Sequence, residues 1–368
     1  MKDLQVHFGK AVGMVRTLLL TAILAGVLIA AGDKAAAQGL WVANTQTLAE
    51  FQGTLTSGRT QAHRINRSKD LDGSSTIAFD KNGNLWVTNY NTSRIVEFRK
   101  SQIEWLRINR APQAAVTISE DAGNNLDGPE GLVFDASDNM WVGSEKGQAV
   151  LMYTPAQYAA SGDPTATVIL NASSFNFSSP SGVVFDPAGN LWVVDEDIPN
   201  GNGGTGEVFK YTKAQITGLT AGTHYIDPVF GIAAQWFVHL EGLAFDKSGN
   251  MWLADERGMN VYKFAADQVT GTGLSQNLTP AVVLSPVSEA RRCHESLDGP
   301  YGIAVDRKGN LFVSNANVTG NCFGSLAEFS PKSIKSSGSP IPKVFIVTTV
   351  YGNNINDPNN LTFGPSLP

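Results

Sequence analysis

The stretch Gly182-Val183-Val184-Phe185-Asp186-Pro187-Ala188-Gly189-Asn190-Leu191-Trp192-Val193 decides the fold. β-Branched and aromatic residues flank a short run of turn formers, so the segment reads as two strands joined by a tight hairpin. Related copies stand at Ile77–Val87, Gly131–Val142, Gly242–Leu253 and Gly302–Val313. Two half copies complete the set: Leu40-Trp41-Val42 lacks the segment before the turn, and Asn360-Leu361-Thr362-Phe363-Gly364 lacks the one after it. Joined, they make a sixth copy. Successive tryptophans Trp41, Trp86, Trp141, Trp192 and Trp252 fall 45 to 60 residues apart, which suits four short strands per unit. The chain therefore reads as all-β, a six-bladed β-propeller closed by pairing the C-terminal strand with the N-terminal strands. Closure removes the open sheet edges that invite aggregation.

Each unit carries a third strand, such as Val208-Phe209-Lys210-Tyr211, and an outer one, such as Thr167–Leu170 or Lys343–Val347. A hydroxyl followed by proline at Thr154-Pro155 and Ser330-Pro331 predicts one helical turn between them. The tryptophans are expected to pack blade on blade. Gly83, Gly189, Gly249 and Gly309 are expected at positive φ in the hairpins, with Asp138 in their place in the copy Gly131–Val142. The acids before them stand alone at turn corners and lack the alternation of a calcium loop.

Residues 1–37 read as a signal peptide: Lys2, Lys10 and Arg16, then an almost wholly apolar Leu18 to Ala31, then Ala35-Ala36-Ala37. A permanent anchor is the alternative, for which the apolar run is short. The expected mature domain is 38–368, secreted or periplasmic, with no membrane contact after signal removal. Four bases and two acids leave with the signal, taking the net charge from −6 to −8. That balance disfavours nucleic acid.

Antiparallel order puts the loops before each first strand, and those between second and third strands, on one face. The long insertions Asp197–Gly206 and Ser285–Gly299 lie there, so a small molecule or protein partner is expected on that face. Cys293 and Cys322 flank the same face, and an oxidising compartment favours a disulfide between them over a reduced pair or a metal site. The position before each first-strand glycine should point to the channel mouth. Around the ring it holds Asn359, Ser75, Glu130, Ser181, Glu241 and Tyr301. Glu130, Glu241 and Asn359 could offer a divalent cation, calcium favoured, three oxygen ligands; the alternative is two solvated carboxylates. A second polar ring ends the second strands, and from it Asn89, Asp195, Asp255 and Asn315 are candidate ligand-binding residues, with Tyr301 and His239 beside the mouth. Leu71-Asp72-Gly73, Leu126-Asp127-Gly128 and Leu297-Asp298-Gly299 repeat before first strands and read as loop shapers. No nucleophile elbow, P-loop, zinc-protease helix or dinucleotide fingerprint is present in a strand-to-helix context.

The unit Pro300-Tyr301-Gly302-Ile303-Ala304-Val305-Asp306 with Gly309-Asn310-Leu311-Phe312-Val313 resembles the NHL repeat, and residues 39 to 366 resemble NHL and SMP-30 (gluconolactonase)-like six-bladed propellers. In lactonases of that kind, acids and asparagines before the first-strand glycine hold a divalent metal and an acid serves as base. The resemblance implies Glu130, Glu241 and Asn359 as metal ligands and Glu241 or Glu130 as catalytic base; Ser75, Ser181 and Tyr301 depart from the pattern. Lyases of this fold use histidine, and five histidines in the whole chain count against them. Two functions follow as expectations: a monomeric ligand-binding or interaction propeller, or a metal-dependent hydrolase of lactones or esters.

Overall fold

The computed structural model describes residues 39–364, apart from 54, 58–60, 121–122, 124, 197–205, 288–296, 317–323 and 348–357. The predicted signal, both cysteines and most of the two long insertions lie outside the described residues. Among the described residues, no helix is long and apolar enough to cross a membrane.

Six antiparallel sheets form the ring. Blade 1 is composite: Pro358–Phe363 pairs with Leu40–Asn44, then Thr47–Phe51 and Arg64–Asn66 follow. Its register sets Leu40 against Phe363 and Val42 against Leu361, and the Gly364 amide donates to Gly39 O at 2.9 Å. The predicted closure is thus present. Blade 4 is typical of the others, with Pro180–Phe185 innermost, then Leu191–Asp195, Glu207–Tyr211 and Phe230–Ala233.

The tryptophan at the second place of each second strand packs forward onto the next blade. Trp41 meets Ile77, Leu85 and Val87 of blade 2, and Trp192 meets Leu240, Met251 and Leu253 of blade 5. Phe312 takes the tryptophan position in blade 6 and packs on Leu361, Leu40 and Val42. Six wedges of one design therefore pack between neighbouring sheets, each burying a large aromatic side chain.

The acids at the turn corners are more than isolated turn formers. Asp186 Oδ1 accepts from the Ala188 and Asn190 amides, both at 2.9 Å, while Oδ2 accepts from Asn190 Nδ2 at 2.8 Å and Trp192 Nε1 at 3.0 Å. One carboxylate thus ties the hairpin to the wedge. Burial opposes its charge, but the bonds from Trp192, Asn190 and Ala188 win and hold its pKa below the ordinary value. Asp186→Ala is expected to destabilise by about 2 kcal/mol at neutral pH, since it leaves a buried indole N–H unpaired. The wild-type advantage should shrink as pH falls below the ordinary 3.8, where the unfolded carboxylate takes up its proton, and vanish once pH falls through the lower folded pKa. Urea unfolding at pH 7 and pH 3 measures both effects. Gly83, Gly189, Gly249, Gly309 and Asp138 all have positive φ, as expected.

Two features were not foreseen. Gly222–Tyr225, from the loop after the third strand of blade 4, adds a parallel fifth strand to the outer edge of blade 3. Gly273–Gln276 does the same from blade 5 onto blade 4, and Gly162 and Gly338 make single parallel bridges to Ile118 and Leu284. Each loop covers the outer edge of the preceding blade, which blunts edge pairing with other chains. The helical turns predicted at Thr154 and Ser330 are plain turns; short helices occupy the equivalent place at Lys100–Glu104 and Lys213–Ile216.

Candidate functional site

Every first strand of blades 2 to 6 carries a register shift where the residue before the glycine position sits, as between Pro180 and Val183 or Leu240 and Leu243. A bulge re-aims the side chain it carries. In blade 5 the glycine itself is required, because a Cβ on Gly242 would lie 2.2 Å from Tyr301 O of the next blade. A second repeated contact sets the neighbouring shell: the residue after each second strand donates its amide to the carbonyl two before the ring position. These are Tyr90 to Gly73, Glu145 to Gly128, Glu196 to Ser179, Glu256 to His239 and Ala316 to Gly299, at 2.8 to 3.1 Å.

Together these two devices gather Glu130, Glu196, His239 and Glu241 from blades 3, 4 and 5. Single donor atoms of Glu196, His239 and Glu241 all lie within 4.8 Å of one another. His239 Nδ1 is 3.2 Å from both Glu241 Oε1 and Glu256 Oε2, and Nε2 is 3.6 Å from Glu196 Oε2. One ring N–H at Nδ1 cannot serve two carboxylates at once. Buried polar atoms without a hydrogen-bond partner concentrate here: Glu130 Oε2, Glu145 Oε2, Ser181 Oγ, Glu196 Oε1 and His239 Nδ1. Tyr301, from blade 6, brings its hydroxyl 3.5 Å from Glu130 Oε1 of blade 3. Below the ring an axial cavity of about 530 Å³ is walled by the first strands, Glu241 among its lining.

Electrostatics follow from this crowding. Burial, then the Glu241 charge, pushes Glu196 up to about 8. Burial and the Glu130 charge push Glu241 up to about 8, against the pull of His239. Glu130 rises well above the carboxylate range through burial and the Glu196 carboxyl beside it. Burial disfavours the imidazolium of His239, but its carboxylate neighbours Glu241 and Glu256 outweigh this and push it up to about 10. Burial and Glu145 push the Tyr90 hydroxyl up.

The expected site residues divide. Glu130, Glu241, His239 and Tyr301 come together at the mouth. Asn359 reaches the ring, but its amide donates to Ser74 O at 2.7 Å, tying blade 1 to blade 2. Asp195, Asp255, Asn89 and Asn315 do not reach the mouth as ligands; they are buried and bonded to the loops. Asp255 Oδ1 accepts from the His239 and Gly258 amides at 2.8 and 3.0 Å, and Asp195 Oδ1 from the Ser179 amide at 2.6 Å. Asn89 Oδ1 accepts from the Asp72 amide and Asn315 Oδ1 from the Asp298 amide, both at 3.2 Å. Strand-end side chains of this length bond the nearest backbone before they can reach a ligand. The same bonds show that two of the Leu-Asp-Gly segments are held through their backbone amides, at Asp72 and Asp298.

Glu196, Glu145 and Glu256 escaped the sequence reading. Their signal was present: a glutamate directly follows the second strand in three consecutive blades, at Ser144-Glu145, Asp195-Glu196 and Asp255-Glu256.

No family model matches the chain, and no curated protein matches by sequence. Solved structures do. The nidogen/laminin complex contains a chain with TM-score 0.57 and 15% identity, covering 90% of this chain and 100% of that one. A streptogramin B lyase has TM-score 0.50 and 11% identity over 90% of this chain and 91% of the other. The fold these structures share with the chain is the six-bladed β-propeller. A protein of unknown function from Bacteroides caccae shares that fold at TM-score 0.53 and 10% identity, over 89% of this chain and 99% of that one. At such identities this propeller likeness carries architecture alone, and function must be argued from the site.

Proposed function

We propose that this propeller holds a divalent metal ion at its mouth through His239, Glu196 and Glu241, with Glu130 beside them, and binds its ligand there from the long-loop face. The observation that carries this reading is the convergence of three donor atoms within 4.8 Å beside buried carboxylate oxygens that have no partner. Unpaired buried acceptors are costly, and a cation is what would satisfy several at once. A nitrogen donor among carboxylates suits zinc or manganese better than calcium, whose ligands are oxygens. Calcium, expected from the acids alone, therefore gives way to a first-row ion. Export through residues 1–37 remains part of the proposal, as does a monomer.

Hydrolysis of a lactone or ester is the second reading, favoured by Glu130. A metal there would supply polarisation of a carbonyl oxygen. Glu130 holds a proton well above the usual carboxylate range and stands next to the Tyr301 hydroxyl, so it can take up and return a proton at one oxygen while the phenol orients it.

Elemental analysis of the purified, unchelated chain tests the binding reading. About one equivalent of zinc or manganese is expected per chain, lost in His239→Ala. Absence of metal, with no metal-dependent shift in Tm, would end it. Glu130→Gln then separates the two readings: loss of turnover on a lactone panel with metal retained supports hydrolysis.

A further inference from the structure

Residues 99–113, Arg-Lys-Ser-Gln-Ile-Glu-Trp-Leu-Arg-Ile-Asn-Arg-Ala-Pro-Gln, form the loop between the third and outer strands of blade 2. The short helix Lys100–Glu104 and the turn after it bury Ile103 and Leu106 completely. With those two turned inward, Trp105 and Ile108 are driven out, at 61% and 76% exposure. Gln102 Nε2 donates to Gln113 O at 2.7 Å and closes the loop on itself, so the pair stands as a fixed knob.

Charge is distributed unevenly around this knob. Residues 61–110 carry nine of the 27 lysines and arginines against five acids, in a chain of net charge −6. The acids are engaged. Asp80 and Glu97 are buried, while the half-buried Asp70 accepts from the Ala114 amide at 2.7 Å, Asp72 from Asn91 Nδ2 at 3.2 Å, and Glu104 faces Lys100 at 3.9 Å. The bases face out: Arg67, Lys69, Arg107 and Arg110 are exposed. They adjoin one another, because the Arg67 amide donates to Arg110 O at 2.6 Å and Arg107 touches His63. The Lys100 amide donates to Asn84 Oδ1 at 3.0 Å, which fixes the loop beside a Gly-Asn hairpin, on the face away from the mouth.

We infer that this rim of blade 2 docks the propeller on an anionic lipid surface, with Trp105 and Ile108 entering the headgroup boundary and Arg67, Arg107 and Arg110 meeting lipid phosphates. Tryptophan and a bulky aliphatic at the water boundary, ringed by arginines, match the chemistry of that layer. The remaining surface is net acidic and is repelled by the same lipids, so the molecule would settle patch-down with its mouth towards solution. The inference is independent of metal at the mouth.

Vesicle co-sedimentation of the full chain tests it, with phosphatidylglycerol-containing and pure phosphatidylcholine vesicles. Binding is expected to the anionic vesicles only, weakened by raised salt. Trp105→Ala with Ile108→Ala, and separately Arg107→Glu with Arg110→Glu, should each lower the partition at least about tenfold. Residues 1–38 are common to all these proteins, so their contribution cancels in the comparison. Each variant's thermal unfolding curve shows whether the ring is intact, and the two sets touch different side chains, so one suffices if the other misfolds. Equal partition of folded variants and parent would overturn the inference, as would binding to poly-glutamate without binding to vesicles, which would assign the patch to an acidic protein.

Discussion

Freed of divalent metal, the protein is expected to melt at falling temperature as pH rises from about 5 to about 10. Glu196 and Glu241 hold their protons in the folded state up to about 8, against an ordinary 4.5. Between those values the folded chain binds more protons than the unfolded one, so stability present at low pH is lost as pH rises. His239 acts in the same direction between 6.5 and about 10. Glu130, Tyr90 and Tyr301, which face the same cluster, are also raised in the folded state and act in the same direction. Metal should invert the trend, because it must displace those protons; the gain in Tm from added zinc or manganese should grow with pH. At metal concentrations about a hundredfold above Kd the gain amounts to about 2.7 kcal/mol. Glu196→Gln should flatten the slope of the chelated protein while weakening metal binding by about tenfold or more. Melting curves at pH 5, 7 and 9, with chelator and with metal, measure all of this. A chelated Tm that climbs with pH would contradict the protonated cluster.

Gly242→Ala is the second change with a large expected effect. The added Cβ would lie 2.2 Å from Tyr301 O and 3.1 Å from Ile303 N, both backbone atoms of blade 6 that cannot step aside alone. A cost of about 3 kcal/mol or more is expected, in the upper range for overpacking. Because the same bulge aims Glu241 at the axis, metal binding should weaken as well. Gly162→Ala is the control: nothing lies within 4 Å of its added Cβ, and a change within about 0.5 kcal/mol is expected. Urea midpoints for the two variants give the comparison, and equal midpoints would show that the blades have more room than their spacing implies.

Much of the fold was legible because its repeat is written in residues whose roles are mechanical. Trp192 and its counterparts are wedges, Gly189 turns a hairpin, and Phe363-Gly364 matches Phe185-Asp186 closely enough to place the last strand beside Leu40. The fifth strands were illegible for an equally physical reason: Gly222–Tyr225 is exposed or half-buried throughout and has no apolar alternation to announce it. At the site, Glu130 and Glu241 were legible from their place before a glycine. Glu196 was not, because its direction depends on the amide bond to Ser179 O, which only the folded hairpin creates. Asp195 and Asp255 misled for the converse reason. A carboxylate at a strand end looks available in one dimension, whereas in three it meets its own loop first.

The composite blade has a cost built into it. Where blades 2 to 6 have an aspartate after the first strand, blade 1 has Gly364, and the Trp41 indole nitrogen is left without the acceptor that Asp186 gives Trp192. An aspartate cannot be restored simply, since a Cβ there would lie 2.7 Å from the Phe79 ring. The pairing of Pro358–Phe363 with Leu40–Asn44 is therefore the inner strand pair of the ring that has neither a connecting turn nor the carboxylate tie. Amide exchange should report its earliest opening there, and a protease that attacks the intact disc should find its first foothold at this clasp.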